Sequence, residues 1–184
     1  MARHELLMAP NDVVIRPART DDAADVAAMA NDLNRCEGLA PDAHTAESVR
    51  RDLLRPGSPF SVLVAERGGA LVGYILFHET YNTDVAARGV WALDLYVDPE
   101  ERSTGIARRL MCAMAAKAFR DGCRSVWGTV RAANRAARWF YASCGMTNHD
   151  CRELHLEGDA LLRLVAEAGA ADAARAREAA APAP

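Results

Sequence analysis

The stretch Leu95-Tyr96-Val97-Asp98-Pro99-Glu100-Glu101-Arg102-Ser103-Thr104-Gly105-Ile106-Ala107-Arg108-Arg109-Leu110 decides how the rest of this chain is read. Its first three residues end a run from Val90 in which Trp91, Leu93, Leu95 and Val97 alternate with Ala92, Asp94 and Tyr96, the period of a strand. Asp98-Pro99 stops that run. From Thr104 to about Asp121 the period becomes helical, with Ile106, Leu110, Met114 and Ala118 recurring every fourth residue. A helix start leaves backbone N–H groups unpaired and carries partial positive charge, so a glycine-containing turn at that point suits a pyrophosphate. Arg102, with Arg108 or Arg109, would add charge-assisted bonds. The same residues also fit an ordinary capped helix, and neither the G-x-G-x-x-G dinucleotide fingerprint nor a Lys-bearing phosphate loop is present.

Working outward toward the N-terminus, Tyr81 to Gly89 reads as a polar loop. Before it, Phe60 to Glu66 and Ala70 to Glu79 are two strand-like runs joined by Arg67-Gly68-Gly69, which predicts a hairpin. Val13-Val14-Ile15 is a first strand, and Thr20-Asp21-Asp22 opens a helix that buries Val26, Met29, Ala30 and Leu33. A loop with Gly38, Pro41 and Asp42 follows, then a second helix opened by Thr45 with Val49 and Leu53 on one face. Toward the C-terminus, Gly122 caps the long helix, Arg124 to Val130 is a short strand, Asn134 to Cys144 a short helix, and Arg152 to Leu156 a last strand. Ala160 to Ala181 is alanine-rich and helix-prone. This order predicts a mixed α/β fold with a leader over 1–10, one domain over 11–158 and a helical tail over 159–184.

Composition narrows the function. The chain has 184 residues, enough for one well-cored domain and too few for two. Its 22 basic and 25 acidic residues give a formal net charge of −3, so no general positive field exists to gather nucleic acid. The cysteines Cys36, Cys112, Cys123, Cys144 and Cys151 lack the paired spacing of zinc or redox sites and read as reduced thiols; the histidines show no metal-ligand spacing either. No metal and no membrane partner is expected, and the absence of a signal-like or spanning segment points to the cytoplasm.

Arg102-Ser103-Thr104-Gly105-Ile106-Ala107 resembles the Arg-x-x-Gly-x-Gly/Ala signature with which the GNAT superfamily of N-acetyltransferases opens its central helix. Asn134-Arg135-Ala136-Ala137-Arg138-Trp139-Phe140-Tyr141-Ala142-Ser143-Cys144-Gly145-Met146 resembles the family's Asn-x-x-Ala-x-x-Phe-Tyr-x-x-x-Gly-Phe block, in the right order and at the right distance. The departures are Ser103 for glycine, Ala107 for the second glycine and Met146 for phenylalanine. The resemblance covers roughly residues 13–156 and implies a mostly antiparallel, twisted sheet splayed at a bulge, with helices on its flanks. It implies acetyl-CoA as cosubstrate: the pantetheine arm along Leu95, Tyr96 and Val97, and the pyrophosphate on the amides of Arg102, Ser103, Thr104, Gly105, Ile106 and Ala107. Asn134 would bond the arm, cap its helix, or both.

The resemblance also implies direct transfer of the acetyl group to an amine. Tyr141 matches the family position that donates a proton to the leaving sulfur, against a plain packing role for the same residue. For a base, Asp94 is the candidate, because a mid-strand carboxylate is odd unless it faces a cleft; bonding to a neighbouring loop is the alternative. Tyr81-Asn82-Thr83 and Ala92-Leu93-Asp94-Leu95-Tyr96-Val97 are weakly similar to the polyamine and diamine acetyltransferase branch, although Leu93 stands where that branch has glutamate. The acceptor is therefore expected to be a primary amine of a small molecule, polyamine-, diamine- or amino-acid-like, or of a peptide, and the protein a homodimer. Two other readings stand beside it. One is a catalytically silent module that binds acetyl-CoA and regulates a partner. The other is an acetylase of aminoacyl-tRNA drawing on Arg131, Arg135 and Arg138, which the acidic net charge disfavours.

Overall fold

The computed structural model describes residues 12–149 and 154–180, with side chains as far as residue 169. Within it the predicted hairpin forms the centre of the sheet. Strand β2 (Phe60–Arg67) turns through Gly68 and Gly69, both at positive φ, into β3 (Ala70–Asn82). β1 (Val13–Pro17) pairs antiparallel with the outer edge of β2, and β4 (Ala87–Val97) pairs antiparallel with β3. The fifth strand, β5 (Ser125–Gly128), runs parallel to β4, giving the order β1-β2-β3-β4-β5. The sheet is thus mixed but mostly antiparallel, as the sequence predicts.

Helices cover both faces. On one, α1 (Ala23–Glu37) buries Val26, Met29 and Ala30 against Val62, Val64, Tyr74, Leu76 and Tyr96. The short α2 (Ala46–Ser48) starts in a capping box, where Thr45 Oγ1 accepts from the Ser48 amide at 3.1 Å. It widens into a π-helical turn, Val49–Leu53, that seats Val49 in the same cluster. On the other face, α3 (Ile106–Arg120) buries Ile106, Leu110, Met114 and Ala118, the four residues whose spacing defined it, against Leu63, Ala65, Ile75, Phe77, Val90 and Val97. Full burial of a side chain such as Leu110 or Met114 is worth about 1.5–3 kcal/mol, so the two clusters clamp the sheet between the helices. The short α4 (Arg135–Ser143) lays Phe140 and Tyr141 on the α3-side cluster. The chain forms two units, up to Thr147 and from Asn148 onward. The second contains α5 (Gly158–Ala180), in the region expected to be an alanine-rich helix.

Four expectations are corrected. The polar loop over 81–89 is mostly strand, because Tyr81↔Arg88 and Asn82↔Ala87 continue the β3–β4 ladder and leave only a short turn between them. Strict alternation along β4 fails: Leu76 pairs with Asp94 and Phe77 with Ala92, so Leu93 is an extra, unpaired residue. An inserted residue reverses the side-chain faces beyond it. Val90 and Ala92 therefore share the α3-side cluster with Leu95 and Val97, while Leu93 is 41% exposed. The strand expected over 124–130 is the shorter β5. Of the strand expected over 152–156, Arg152 and Glu153 lie outside the described residues and Leu154 to Leu156 are irregular.

Candidate active site

The bulge at Leu93 is where the sheet opens. β4 pairs with β5 only from Gly89↔Ser125 to Ala92↔Gly128, so Leu95, Tyr96 and Val97 keep β3 on one side and have no β5 partner on the other. Gly128 marks the last close approach. A Cβ on it would lie 2.6 Å from the Ala92 carbonyl oxygen, a separation only glycine permits. Past that point the backbone edge of β4 is a strip of hydrogen-bonding groups of the kind an extended ligand can pair with.

At the far end of the strip, the chain turns through a 3-10 turn, Pro99–Glu101, and enters α3. Ser103 (φ 66°) and Gly105 (φ 88°) are both left-handed. Left-handed residues alternating with right-handed ones are the backbone pattern from which anion-binding nests are made. No side chain caps α3 at Gly105, and Thr104 turns its hydroxyl back to donate to the Glu101 carbonyl at 2.6 Å. The first-turn amides of a 15-residue helix are thereby left for a ligand. The arginines behave differently from expectation. Arg108 Nη1 donates to the Ser143 carbonyl (3.2 Å) and Arg109 Nη2 to the Val13 carbonyl (2.6 Å), so both tie α3 to its neighbours. Arg102 Nε donates to the Val97 carbonyl at 3.1 Å, which braces the turn and engages one group of the strip.

Asp94 and Tyr141 lie on opposite faces of the sheet. Asp94 lies on the α1 side of the sheet, where the Tyr74 hydroxyl donates to its Oδ2 at 2.8 Å. Burial raises the Asp94 pKa above the usual carboxylate value; the Tyr74 bond and nearby His44 pull it back, and Glu37 pushes it up. Tyr74 is almost wholly buried, and desolvation together with the Asp94 charge and bond holds its phenol far above its ordinary pKa. Tyr141 stands on α4, whose start Asn134 caps by accepting from the Ala137 amide at 3.0 Å. Burial, then the charges of Glu37 and Asp94, push the Tyr141 phenol up to about 12, so it stays protonated throughout the neutral range.

Four residues of this region escaped the sequence reading or entered it without this role: Tyr74, Glu37, His44 and Arg131. Two carried a signal. A tyrosine inside the buried run from Val72 to Phe77 needs a partner for its hydroxyl. Glu37 ends α1 just before Gly38, placing a negative charge at the negative end of the helix dipole, where it is locally unfavourable. His44 and Arg131 carried none, since each joins the site only through folding: the His44 backbone is pinned by Asn31, and Arg131 Nε donates to Glu37 Oε2 at 3.1 Å.

Residues 26–146, spanning both helix layers and the opened sheet, match the acetyltransferase (GNAT) family. The chain belongs to that family. Among GNAT relatives, a thialysine N-epsilon-acetyltransferase of Sus scrofa is 28% identical over 83% of this chain and 96% of its own. The Bacillus subtilis N-acetyltransferase YhfO is 30% identical over 71% and 87%. An integron cassette protein from the mobile metagenome of V. cholerae shares the fold, with a TM-score of 0.72 at 20% identity over 84% of this chain and 98% of that one. This GNAT chain is accordingly an acyltransferase. No helix among the described residues is long and apolar enough to cross a membrane, and no cluster of three potential metal-ligating side chains occurs among them.

Proposed function

We propose that this protein transfers an acetyl group from acetyl-CoA directly to a primary amine of a small molecule, with Asp94 as proton acceptor and Tyr141 as proton donor. The single observation that carries the reading is the opened sheet. The uncapped start of α3 follows the unpaired edge of β4 in the chain, and the charge of Asp94, which adjoins that edge, acts on Tyr141. The residues present suit the cosubstrate: the nest at Ser103 to Ala107 suits a pyrophosphate, and the edge from Leu95 to Val97 an amide-bearing arm. When bound, acetyl-CoA supplies the thioester whose carbonyl carbon the amine attacks.

The chain's own residues then handle two protons. As the N–C bond forms and the C–S bond breaks, the amine gives up a proton to the Asp94 carboxylate, made more basic by burial. The Tyr141 hydroxyl gives its proton to the departing sulfur. A positioned acid of this kind contributes roughly 10²- to 10⁴-fold. Asn134 holds α4, and so Tyr141, in place. The relatives' names support an amine acceptor, and that of the Sus scrofa enzyme points to a side-chain amine of a lysine analogue. Reading the chain as a cytoplasmic homodimer belongs to the same proposal; sedimentation tests the dimer.

The test pairs calorimetry with kinetics. Coenzyme A should bind, and Tyr141→Phe should lower kcat by about 10²-fold or more while leaving coenzyme A affinity nearly unchanged. Equal turnover by the two proteins removes Tyr141 from the chemistry. Binding without turnover on any amine favours the silent regulatory module instead.

A further inference from the structure

Trp91 and Trp127 are large rings for which the transfer chemistry has no use, and their place in the sheet is specific. Phe60 pairs with His78, His78 with Trp91, and Trp91 with Trp127, so a single row carries four aromatic side chains across β2, β3, β4 and β5. All four lie on the α1 side of the sheet. Phe60 packs on that cluster and touches His78, while Val90, Ala92 and Val126, the neighbours of the two tryptophans, belong to the opposite cluster. Asp94 shares this face, one step further along. Its register partner Leu76 is two residues from His78 on β3, a distance of about 7 Å, and Asp94 follows the Leu93 bulge as Trp91 precedes it. The row also reaches the mouth of the sheet, since Trp127 directly precedes Gly128, where the β4–β5 ladder ends.

The row is built in two halves. Phe60 and His78 meet edge to face with ring centroids 5.8 Å apart, and Trp91 and Trp127 do the same at 5.9 Å. Among the described residues no ring contact joins His78 to Trp91, although the two are register partners. The tryptophan half is held by the sheet rather than by a helix: both rings are partly exposed, and neither belongs to a helix-backed cluster. Gly89 makes room for it. A Cβ on Gly89 would lie 2.5 Å from Cζ3 of Trp127, so only the missing side chain lets that ring lie over β4. The row itself carries no carboxylate, and Glu79, the acidic residue next to it on β3, faces the other way, lining a cleft with Phe77 and Val90. Leu93, between Trp91 and Asp94, is apolar and 41% exposed.

Resting on the acetyl-transfer reading above, we propose that the aromatic row recognises the carbon skeleton of the acceptor, and that the acceptor is an arylalkylamine: a primary amine joined by a short alkyl chain to an aromatic ring. The ring seats where the row is broken, between His78 and Trp91, and extends the edge-to-face array, the arrangement that aromatic quadrupoles favour. The alkyl chain then carries the amine along the apolar step to Asp94. A diamine or a lysine-like chain would set a second cation on a row with no carboxylate to receive it. Trp91 and Trp127 are thus specificity residues, and Gly89 is a positioning residue that acts through Trp127.

The discriminating experiment measures kcat/KM with 2-phenylethylamine, with its saturated counterpart 2-cyclohexylethylamine and with 1,5-diaminopentane, for the wild type, Trp91→Leu and Trp127→Leu, with coenzyme A affinity measured by calorimetry on each. The wild type should favour the phenyl over the cyclohexyl compound by about 2- to 10-fold, the increment of an aromatic contact beyond its area, and should favour both over the diamine. Either substitution should bring the phenyl-to-cyclohexyl ratio toward one, a change that a loss of folded protein cannot produce because it lowers every acceptor alike. A reading without turnover comes from tryptophan emission. With Trp139, which is 77% exposed, replaced by Phe, adding 2-phenylethylamine to the coenzyme A complex should change the emission of Trp91 and Trp127 saturably. A wild type that favours the diamine or uses the two ring compounds alike, a ratio unmoved by both substitutions, or an unchanged emission overturns the aromatic assignment while leaving acetyl transfer intact. Coenzyme A binding without turnover of any amine overturns the transfer reading itself, and this inference with it.

Discussion

Replacing Tyr74 by Phe isolates the bond that holds the proposed base. The substitution removes one oxygen from a nearly fully buried side chain and leaves the ring packed in the α1-side cluster. What is lost is the 2.8 Å donation to Asp94, the largest influence opposing the burial that raises the Asp94 pKa. A hydrogen bond to a charged acceptor is worth about 1.5–3 kcal/mol, and about 1.4 kcal/mol is tenfold in an equilibrium, so its loss should push the Asp94 pKa further up and cut the ionised fraction on the acid side by about 10- to 100-fold. The other charged groups acting on Asp94, His44 and Glu37, are unchanged by the substitution. Because Asp94 must be ionised to accept a proton, the acid limb of the kcat profile should move to higher pH, with kcat on that limb about 10- to 100-fold below wild type and activity largely recovered on the alkaline side. Measuring both proteins with the same saturating amine cancels the acceptor's own contribution. Stability follows the same linkage. A carboxylate whose folded pKa lies above its unfolded value near 3.9 binds its proton more tightly in the native state. Its contribution is therefore lost as pH rises through the window between the two values. Tyr74→Phe extends that window upward, so the variant should be more destabilised in urea melts at pH 8 than at pH 4. An acid limb that stays in place, with a pH-independent loss of stability, would refute Asp94 as the base and leave Tyr74 a packing residue.

Asp22 tests the scaffold rather than the site. It accepts from Arg16 Nη1 at 2.7 Å and from the Arg19 amide at 2.6 Å, and the Arg16 bond holds its pKa below the usual carboxylate value. Asp22→Ala should destabilise the protein by roughly 3 kcal/mol at neutral pH, measured by urea unfolding, because the guanidinium in the β1–α1 corner loses its main partner. In the wild type this contribution is fully present above the unfolded carboxylate pKa and fades as pH falls through the lower folded value, so an Asp22→Ala deficit undiminished at pH 2 would contradict the assignment. Gly128→Ala puts a methyl carbon 2.6 Å from the Ala92 oxygen and should force β4 and β5 apart, costing about 1–3 kcal/mol in thermal melts and weakening coenzyme A binding; unchanged values for both would show that the end of the ladder is soft.

Much of this molecule was legible in the linear order of residues, and the legible parts share one property: they are settled within a few positions of themselves. The four-residue recurrence from Ile106 to Ala118 fixed the buried stripe of α3, Gly68-Gly69 fixed the central hairpin, and Asn134 capped its helix three residues away. The turn that opens α3, left-handed at Ser103 and Gly105, is equally local, which is why a turn at that place could be read before any fold was known. Strand partnerships are not local. Nothing within Val90 to Val97 announces that Leu93 drops out of register, since that depends on how β3 meets β4 across the hairpin, yet this one unpaired residue sends Asp94 to Tyr74 and ends the β5 ladder at Gly128. Likewise Glu37 and Arg131 stand 94 positions apart and meet only because folding brings the end of α1 to the β5–α4 segment. Sequence by itself therefore determined most of the elements and where the strand turns into α3, because helix periodicity, caps and tight turns are short-range energetics. Tertiary structure alone decided which side chains meet Asp94 where the sheet opens, because register and the packing of distant elements are set by the whole core at once.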